Sequence, residues 1–554
     1  MSPGCSARGS GHRWISATSS ADAPRRTVSR AARLRRAPEW ERRWRSRWPS
    51  GTRSNSGISL ACIPGSVRIS TTSESSISTA GAAESECLTS TWPSPVSDEK
   101  RPALPTRVWR SIFRTPLTPG SERERKRVVL DHLVLHLRPV RVPNRTLPFT
   151  HTFGLGGMSA VLVLLLILSG VLLMFVYEPS PERAYGSILR LRDEVRFGGF
   201  VRGIHHWSAN LLVIVVFLHL LRTFFTGAFH GARQFNWVIG VLLLLGVVAS
   251  NFTGYLLPWD QLSYWAITIV TGMLGYVPLA GEWLQSTARA GTEIGASTLI
   301  LFYTLHTTVL PVLLVAFMAF HFWRVRKVRG VVVPYAYDEA PEEKPATTLF
   351  VPDLLAREFS VSLILTAAVL VTALLFAAGL GAPANPGMSP NPAKAPWYFL
   401  GVQELLLHFH PLFAVVLVPL AGIVGLLAIP YLKYDAEISG PWFLTLRGRD
   451  TARTAALVAF GATLVWVLVD EFVLDFGRWL PWLPGQVSEG LIPVTIGFGL
   501  LAGLLAWLKR STGATKNEIV QAAFAAITTA FLVLTATGIW FRGQGMALTW
   551  PWRV

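Results

Sequence analysis

The sequence predicts an all-α integral membrane protein, a four-helix bundle followed by about five further transmembrane helices. Three observations carry that reading. Of the 554 residues 51% are hydrophobic, gathered into apolar runs that reach the ~18 residues expected of a membrane-crossing helix. Basic residues beyond the N-terminal segment cluster at the ends of those runs, as membrane topology requires. Two of the runs also carry a pair of histidines each, His205 with His219 and His306 with His321.

The first pair is fourteen residues apart and the second fifteen. At 1.5 Å per residue the separation is roughly 21 Å, close to four turns, so both imidazoles leave one helix face. A single histidine in a membrane span is more often a packing or proton-relay residue facing the bundle interior. Two pairs at nearly equal spacing are hard to explain that way. Two helices with two histidines each, matched in depth, can clamp two flat metal-centred rings stacked across a bilayer. That is the pattern of a bis-histidine, two-haem protein, with His205 and His306 at one level and His219 and His321 at the other. His206, one position on, turns ~100° from that face and reads as interfacial.

Glycines repeat the device. Gly156 and Gly170 in the first span, and Gly240 and Gly254 in the third, are each fourteen apart. A helix passing a broad flat ring needs positions without side chains, although small residues are common at membrane helix interfaces anyway. Arg202 and Arg222 flank the first histidine pair. They are candidates to pair with haem propionates, the bland alternative being snorkelling at a helix end.

The net charge of +18 does not indicate a nucleic-acid partner, because residues 1–128 hold 23 Lys+Arg against 10 Asp+Glu and carry most of it. That segment is rich in Ser, Arg and Pro and reads as disordered, with no signal-peptide core. The next methionine after Met1 is Met158, so the segment is either a basic arm or upstream sequence ahead of a start near Val128. It also holds Cys5, Cys62 and Cys87, and the membrane body has no cysteine. Covalent haem through Cys-x-x-Cys-His, a cysteine-ligated cluster and a disulfide are thereby excluded from the body.

From Val128 to Thr152 the chain reads as a surface amphipathic helix and a basic approach to the membrane. Residues 129–333 are expected to form the four-helix di-haem domain, 334–357 a linker, 358–435 a second part bearing an outer loop, and 436–554 additional transmembrane helices. Spans are expected near 156–177, 205–225, 237–257, 298–323, 359–381, 411–432, 452–472, 491–508 and 519–541, with a long loop over 258–297. The positive-inside rule puts the N-terminal side, Arg222, Arg233 and the segment after span four in the cytoplasm. The Pro258-Trp259-Asp260 loop, the 382–410 loop and the C-terminus then face outward, which makes His205/His306 the outer pair. The last two spans carry no interpretable motif and are expected to pack against partner subunits.

Arg202–Arg222, Gly254-Tyr-Leu-Leu-Pro-Trp-Asp-Gln and Leu305-His-Thr-Thr-Val-Leu-Pro resemble the cytochrome b subunit of quinol-oxidising bc-type complexes. The fifteen-residue spacing, Trp207-Ser-Ala-Asn and Pro258-Trp-Asp-Gln are closer to the cytochrome b6 form. The resemblance spans about Val128–Asp435. It implies two non-covalent b-type haems and a respiratory complex in a bacterial inner membrane, oxidising (mena)quinol at an outer site and reducing quinone at an inner one, coupled to proton translocation. Implied partners are a Rieske-type iron–sulfur protein, cytochrome c or a similar acceptor, the membrane quinone pool and a second copy of the complex. The outer site is expected from Trp259, Asp260, Tyr264, Val270-Thr-Gly-Met, Trp397 and Tyr398.

Two departures from the family matter. Its usual Pro-Glu-Trp-Tyr is here Ala395-Pro396-Trp397-Tyr398, so the quinol proton needs another acceptor, Glu404 first and Asp260 next. The b6 form binds a third haem through a cysteine that corresponds to Gly154, so no third haem is expected. Two rivals stand beside this reading. One is a di-haem membrane anchor of a dehydrogenase or hydrogenase without bifurcation; the other is a proton-coupled transporter without haem.

Overall fold

The computed structural model describes residues 103–112, 121, 141–337, 339 and 345–553. Among them nine helices are long and apolar enough to cross a membrane: Leu155–Met174, Gly198–Phe225, Gly231–Tyr255, Ala296–Lys327, Phe350–Leu375, Leu412–Tyr431, Leu446–Phe472, Gln486–Thr512 and Lys516–Trp540, here spans one to nine. Each coincides with an expected span. The protein is an all-α, multi-pass membrane protein. Span one leaves Leu164, Leu168, Val171 and Leu172 exposed, a continuous apolar face that suits lipid and would be costly in water.

Span one packs on span two, span two on span five, and span three on span four. Leu162, Leu212, Val215, Val247, Leu365 and Val369 form the core of that half. Spans seven, eight and nine form a second group around Leu508 and the alanines Ala455, Ala522 and Ala526, the small alanine side chains letting membrane helices approach closely. The groups meet where Phe224 of span two stacks on Phe524 of span nine, ring centres 3.9 Å apart. Span nine therefore differs in role from the expectation. Span nine is built into the body of the protein, not held out for a partner.

Among the described residues four spans contain a π-helical turn; that of span five, Phe350–Leu354, is broken by an extended Val351, and the other three lie at Leu305–Val309, Leu412–Leu417 and Gln486–Leu491. Each of these three is followed two residues later by a proline, Pro311, Pro419 and Pro493. Proline has no N–H to donate to the carbonyl four residues back. In all three spans that carbonyl belongs to the π turn, and the helix absorbs the missing bond by widening.

Two elements depart from the sequence reading. The 258–297 stretch is not a plain loop, since it holds helices Gln261–Leu274 and Gly281–Arg289. Within the segment expected to be disordered, Leu104–Ile112 is helical. Its Arg107 donates to the carbonyl of Tyr431 (3.1 Å) and its Ser111 hydroxyl meets the Tyr431 phenol (3.1 Å), polar bonds that hydropathy does not register. A short strand, Arg141–Pro143, pairs antiparallel with Thr347–Leu349 and so ties the approach to span one to the approach to span five. Of the stretch 128–152 read as a surface amphipathic helix and basic approach, 128–140 lie outside the described residues, and 141–152 form the strand, a single 3-10 turn and the four-residue helix Phe149–Thr152.

Candidate functional site

The four histidines meet in two pairs. His205 faces His306 with ring centres 6.0 Å apart, and His219 faces His321 at 6.5 Å. Two imidazoles that share one metal through nitrogens ~2 Å away hold their ring centres ~6 Å apart, so both pairs have the separation that axial ligation of a haem requires. Among the described residues no three His, Cys, Asp or Glu side chains come together for a metal.

Each ring is backed by one glycine of the fourteen-residue series. A Cβ at Gly170 would lie 3.2 Å from His205 Cε1, at Gly254 2.5 Å from His306 Cε1, at Gly156 3.6 Å from His219 Cε1 and at Gly240 3.5 Å from His321 Cε1. The missing side chains are thus the room in which the imidazoles stand. In the outer pair Nδ1 is also engaged: His205 Nδ1 with Ser169 Oγ (3.0 Å), His306 Nδ1 with the Ser250 carbonyl (3.0 Å) and Thr253 Oγ1 (3.2 Å). Occupying Nδ1 orients the ring and leaves Nε2 as the nitrogen that could ligate a metal. His206 is exposed, its ring edge-on to Trp207.

His306 sits in the π turn. A fifteen-residue step in a regular helix overshoots a fourteen-residue one by ~100°. One residue taken up by the π turn restores the shared face, which is why unequal spacings yield two matched pairs.

The two arginines are occupied differently from the propionate expectation. Arg202 donates to the carbonyls of Ala378 (2.8 Å) and Gly379, in the loop just beyond span five. Arg222 is buried and donates through Nε to the His151 carbonyl (3.1 Å), with Nη2 2.9 Å from His151 Nε2. Burial, and then the Arg222 charge, push His151 down to about 4. The fold therefore favours its neutral form. That contribution is complete above the ordinary histidine value and is lost as the pH falls through the folded one. Purified protein should show a melting temperature that falls between about pH 6.5 and about pH 4, and His151→Phe should flatten that part of the profile.

The outer-site candidates lie in one connected region. Trp259 takes a positive φ of 52°, a backbone conformation non-glycine residues adopt only when the surroundings impose it. Its ring packs edge-on to Tyr264, centres 5.8 Å apart. Asp260 caps helix Gln261–Leu274, with Oδ1 accepting from the Ser263 N–H (2.9 Å) and Oδ2 from the Gly381 N–H (2.8 Å). Thr271, of the Val270-Thr-Gly-Met stretch, is buried and accepts from Arg289 Nε (2.9 Å). Trp397 donates from Nε1 to Asn210 Oδ1 of span two (2.7 Å), and Tyr398 packs on the core of spans one, two and five. Phe399 meets Phe252 of span three edge-on at 5.6 Å, joining the Trp397-Tyr398 segment to the Pro258-Trp259-Asp260 corner.

Glu404 has a different setting from that of a quinol-facing base. It is fully buried in helix Leu400–His408 and accepts from Arg542 Nε (2.9 Å) and Nη2 (2.6 Å). Burial alone would raise its carboxyl, but hydrogen bonds from His408 and Arg542 outweigh it and hold the group below the usual range. Asp260 has both oxygens committed to backbone N–H groups. Asn210, Arg542 and Gln403, which accepts from the Ala395 N–H (2.7 Å) and donates to the Ala393 carbonyl (2.6 Å), were missed from sequence. Only Arg542, a charge directly beyond the apolar run of span nine, offered a signal.

The comparisons with known proteins fit this geometry. Residues 144–329 match the family described as Cytochrome b/b6/petB. The chain is 35% identical over 315 residues to the cytochrome bc complex cytochrome b subunit of Chlorobaculum thiosulfatiphilum, over 56% of this chain and 72% of that protein. The chain belongs to the cytochrome b/b6 family. It is also 40% identical over 205 residues to cytochrome b6 of Heliomicrobium gestii, over 37% of this chain and 95% of that protein. A chain of a structure titled Hyperthermophilic respiratory Complex III shares the fold, with a TM-score of 0.54 and 22% identity over 71% of this chain and 98% of that one. This cytochrome b is therefore a haem-binding, multi-pass subunit of a bc-type oxidoreductase and serves quinol-linked electron transfer.

Proposed function

We propose that this cytochrome b holds two non-covalent b haems, an outer one between His205 and His306 and an inner one between His219 and His321, and oxidises quinol at an outer site. The observation that carries the reading is the repeated unit of two facing imidazoles, each backed by its own glycine, at two levels of the same four helices. When bound, the haems supply two one-electron carriers spanning the bilayer. The chain's part is to fix the imidazoles, keep water from them and shape the two quinone sites. Trp259, Tyr264, Trp397 and Tyr398 line the outer site, with one quinol electron leaving to a Rieske-type protein and on to cytochrome c or a similar acceptor. The other electron crosses to quinone at the inner side, protons being released outside and taken up inside. Asp260 and Glu404 act in this reading as structural carboxylates.

Arg222, Arg233 and the basic residues after span four support a cytoplasmic N-terminal side in a bacterial inner membrane. Residues 129–333 form the di-haem domain and 358–435 the outer-loop part, in a complex that we take to be dimeric. A redox titration of the α-band in purified membranes tests the ligand assignment. Wild type should resolve two b-type components, and His219→Leu should lose one and keep the other. No b-type absorbance in wild type would overturn the proposal in favour of a transporter; two components without quinol oxidation would favour a di-haem anchor.

A further inference from the structure

The strongest unexplained feature is a buried charge cluster that joins the outer loop to the last spans. Arg542, just past span nine, is 1% exposed. It donates through Nε and Nη2 to Glu404 and through Nη1 to Glu471 Oε2 at the end of span seven (2.7 Å) and to the Met546 carbonyl (3.0 Å). One helix turn from Glu404, His408 Nδ1 meets Asp470 Oδ2 of span seven at 2.6 Å. Three further contacts tie the same two pieces of chain. Lys394 Nζ donates to the Ile539 carbonyl (3.1 Å), and the Gly545 N–H donates to Asn391 Oδ1. Gly401 and Gly538 let the backbones meet: a Cβ at Gly401 would lie 2.6 Å from Thr535 Oγ1, and one at Gly538 3.0 Å from Leu400 Cβ.

These contacts bracket Trp397 and Tyr398 on both sides in sequence. Before them, Asn391 and Lys394 are held by the tail of span nine; after them, Gly401, Glu404 and His408 are held by spans seven and nine. Toward the haem half the segment is held by Trp397 to Asn210 and Phe399 to Phe252. A buried ion pair is weak evidence for net stability, but a forked guanidinium fixes geometry in a way a flexible ammonium does not.

We propose that Arg542 is a positioning residue for quinol oxidation, and that spans seven and nine are the platform that holds the Trp397-Tyr398 segment against the haem half. The inference rests on the proposed outer site and deepens it.

The test uses the intact complex in membranes, with Arg542→Gln, Arg542→Lys and the milder Glu471→Gln. Glu471 is partly exposed (23%), so its variant is expected to fold. Three measurements are made: amide hydrogen exchange of residues 391–404, steady-state quinol oxidation, and the two-component α-band titration. Faster exchange confined to 391–404, with both haem components unchanged, is expected. kcat/KM for quinol should fall about ten- to a hundredfold in Arg542→Gln, as expected when a mutation outside the chemistry misplaces reacting groups by ~1 Å. Glu471→Gln should change both in the same direction by less, and Arg542→Lys should not rescue. Wild-type exchange and kinetics in Arg542→Gln, or full rescue by lysine, would overturn the anchor. If Arg542→Gln does not assemble, wild-type exchange in Glu471→Gln does so instead. A wild type lacking two b components or quinol oxidation would instead sink the reading beneath it.

Discussion

Replacing Gly254 with valine should abolish the outer b component and with it quinol oxidation, while the inner component titrates as in wild type. A Cβ there would lie 2.5 Å from His306 Cε1 and 3.0 Å from both ring nitrogens, closer than side-chain atoms approach. The ring cannot swing aside freely, because Nδ1 is held by the Ser250 carbonyl and Thr253. Forcing extra atoms into a packed site costs ~1–3 kcal/mol in general; here the strained atoms are those of the ligand itself. The four glycines should rank by their contacts. Alanine at Gly254 should already weaken the outer component, alanine at Gly170 (3.2 Å) less so, and alanine at Gly240 (3.5 Å) or Gly156 (3.6 Å) should leave the inner one intact. Gly157, with nothing within 4 Å, is the control on the same helix. Equal damage from Gly156→Ala and Gly254→Ala in the α-band titration would show that the glycines act on something other than these rings.

The spans and the two facing histidine pairs were legible in the sequence because both are periodic. Apolar length marks a span, and a near-integral number of turns marks one face. The glycine series was legible for the same reason, and each of its positions also stands against one of the four imidazoles. The fifteen-residue spacing matches fourteen only through the π turn at His306. Its sequence clue is Pro311, five residues after His306, whose missing N–H removes the bond that would keep the helix regular. What stayed hidden was long-range and aperiodic. Arg202 and Arg222 look like cations waiting for an anion, yet their partners are carbonyls brought from residues 378–379 and 151, which no local pattern encodes. Glu404 stands in sequence close to Trp397-Tyr398, but a helix points it at a charge 138 residues away.

Asp260→Asn should keep clearly more quinol oxidation than Asp260→Ala, with both b components still present in each. Two roles compete for this carboxylate. A proton acceptor needs its charge, so asparagine would be as damaging as alanine. A clasp needs oxygen lone pairs aimed at two N–H donors; asparagine keeps one such oxygen and turns its NH2 to the other donor, so it holds half of the clasp and falls between wild type and alanine. The structure gives Oδ1 to Ser263 and Oδ2 to Gly381, and the next residue continues the clasp, the Gln261 N–H donating to the Ala382 carbonyl (2.8 Å). Losing the N-cap and a second hydrogen bond together costs ~2 kcal/mol, about thirtyfold in a local equilibrium. Trp259 sits immediately before at a positive φ of 52°, a conformation the clasp must hold in place. Steady-state rates of the two variants across pH decide between the roles. A pH profile for Asp260→Asn that parallels wild type, at rates between wild type and Asp260→Ala, fits the clasp. Loss in Asp260→Asn as complete as in Asp260→Ala would return Asp260 to the proton path and leave Ala395-Pro396-Trp397-Tyr398 as a motif whose missing acid has moved to the Pro258-Trp259-Asp260 corner.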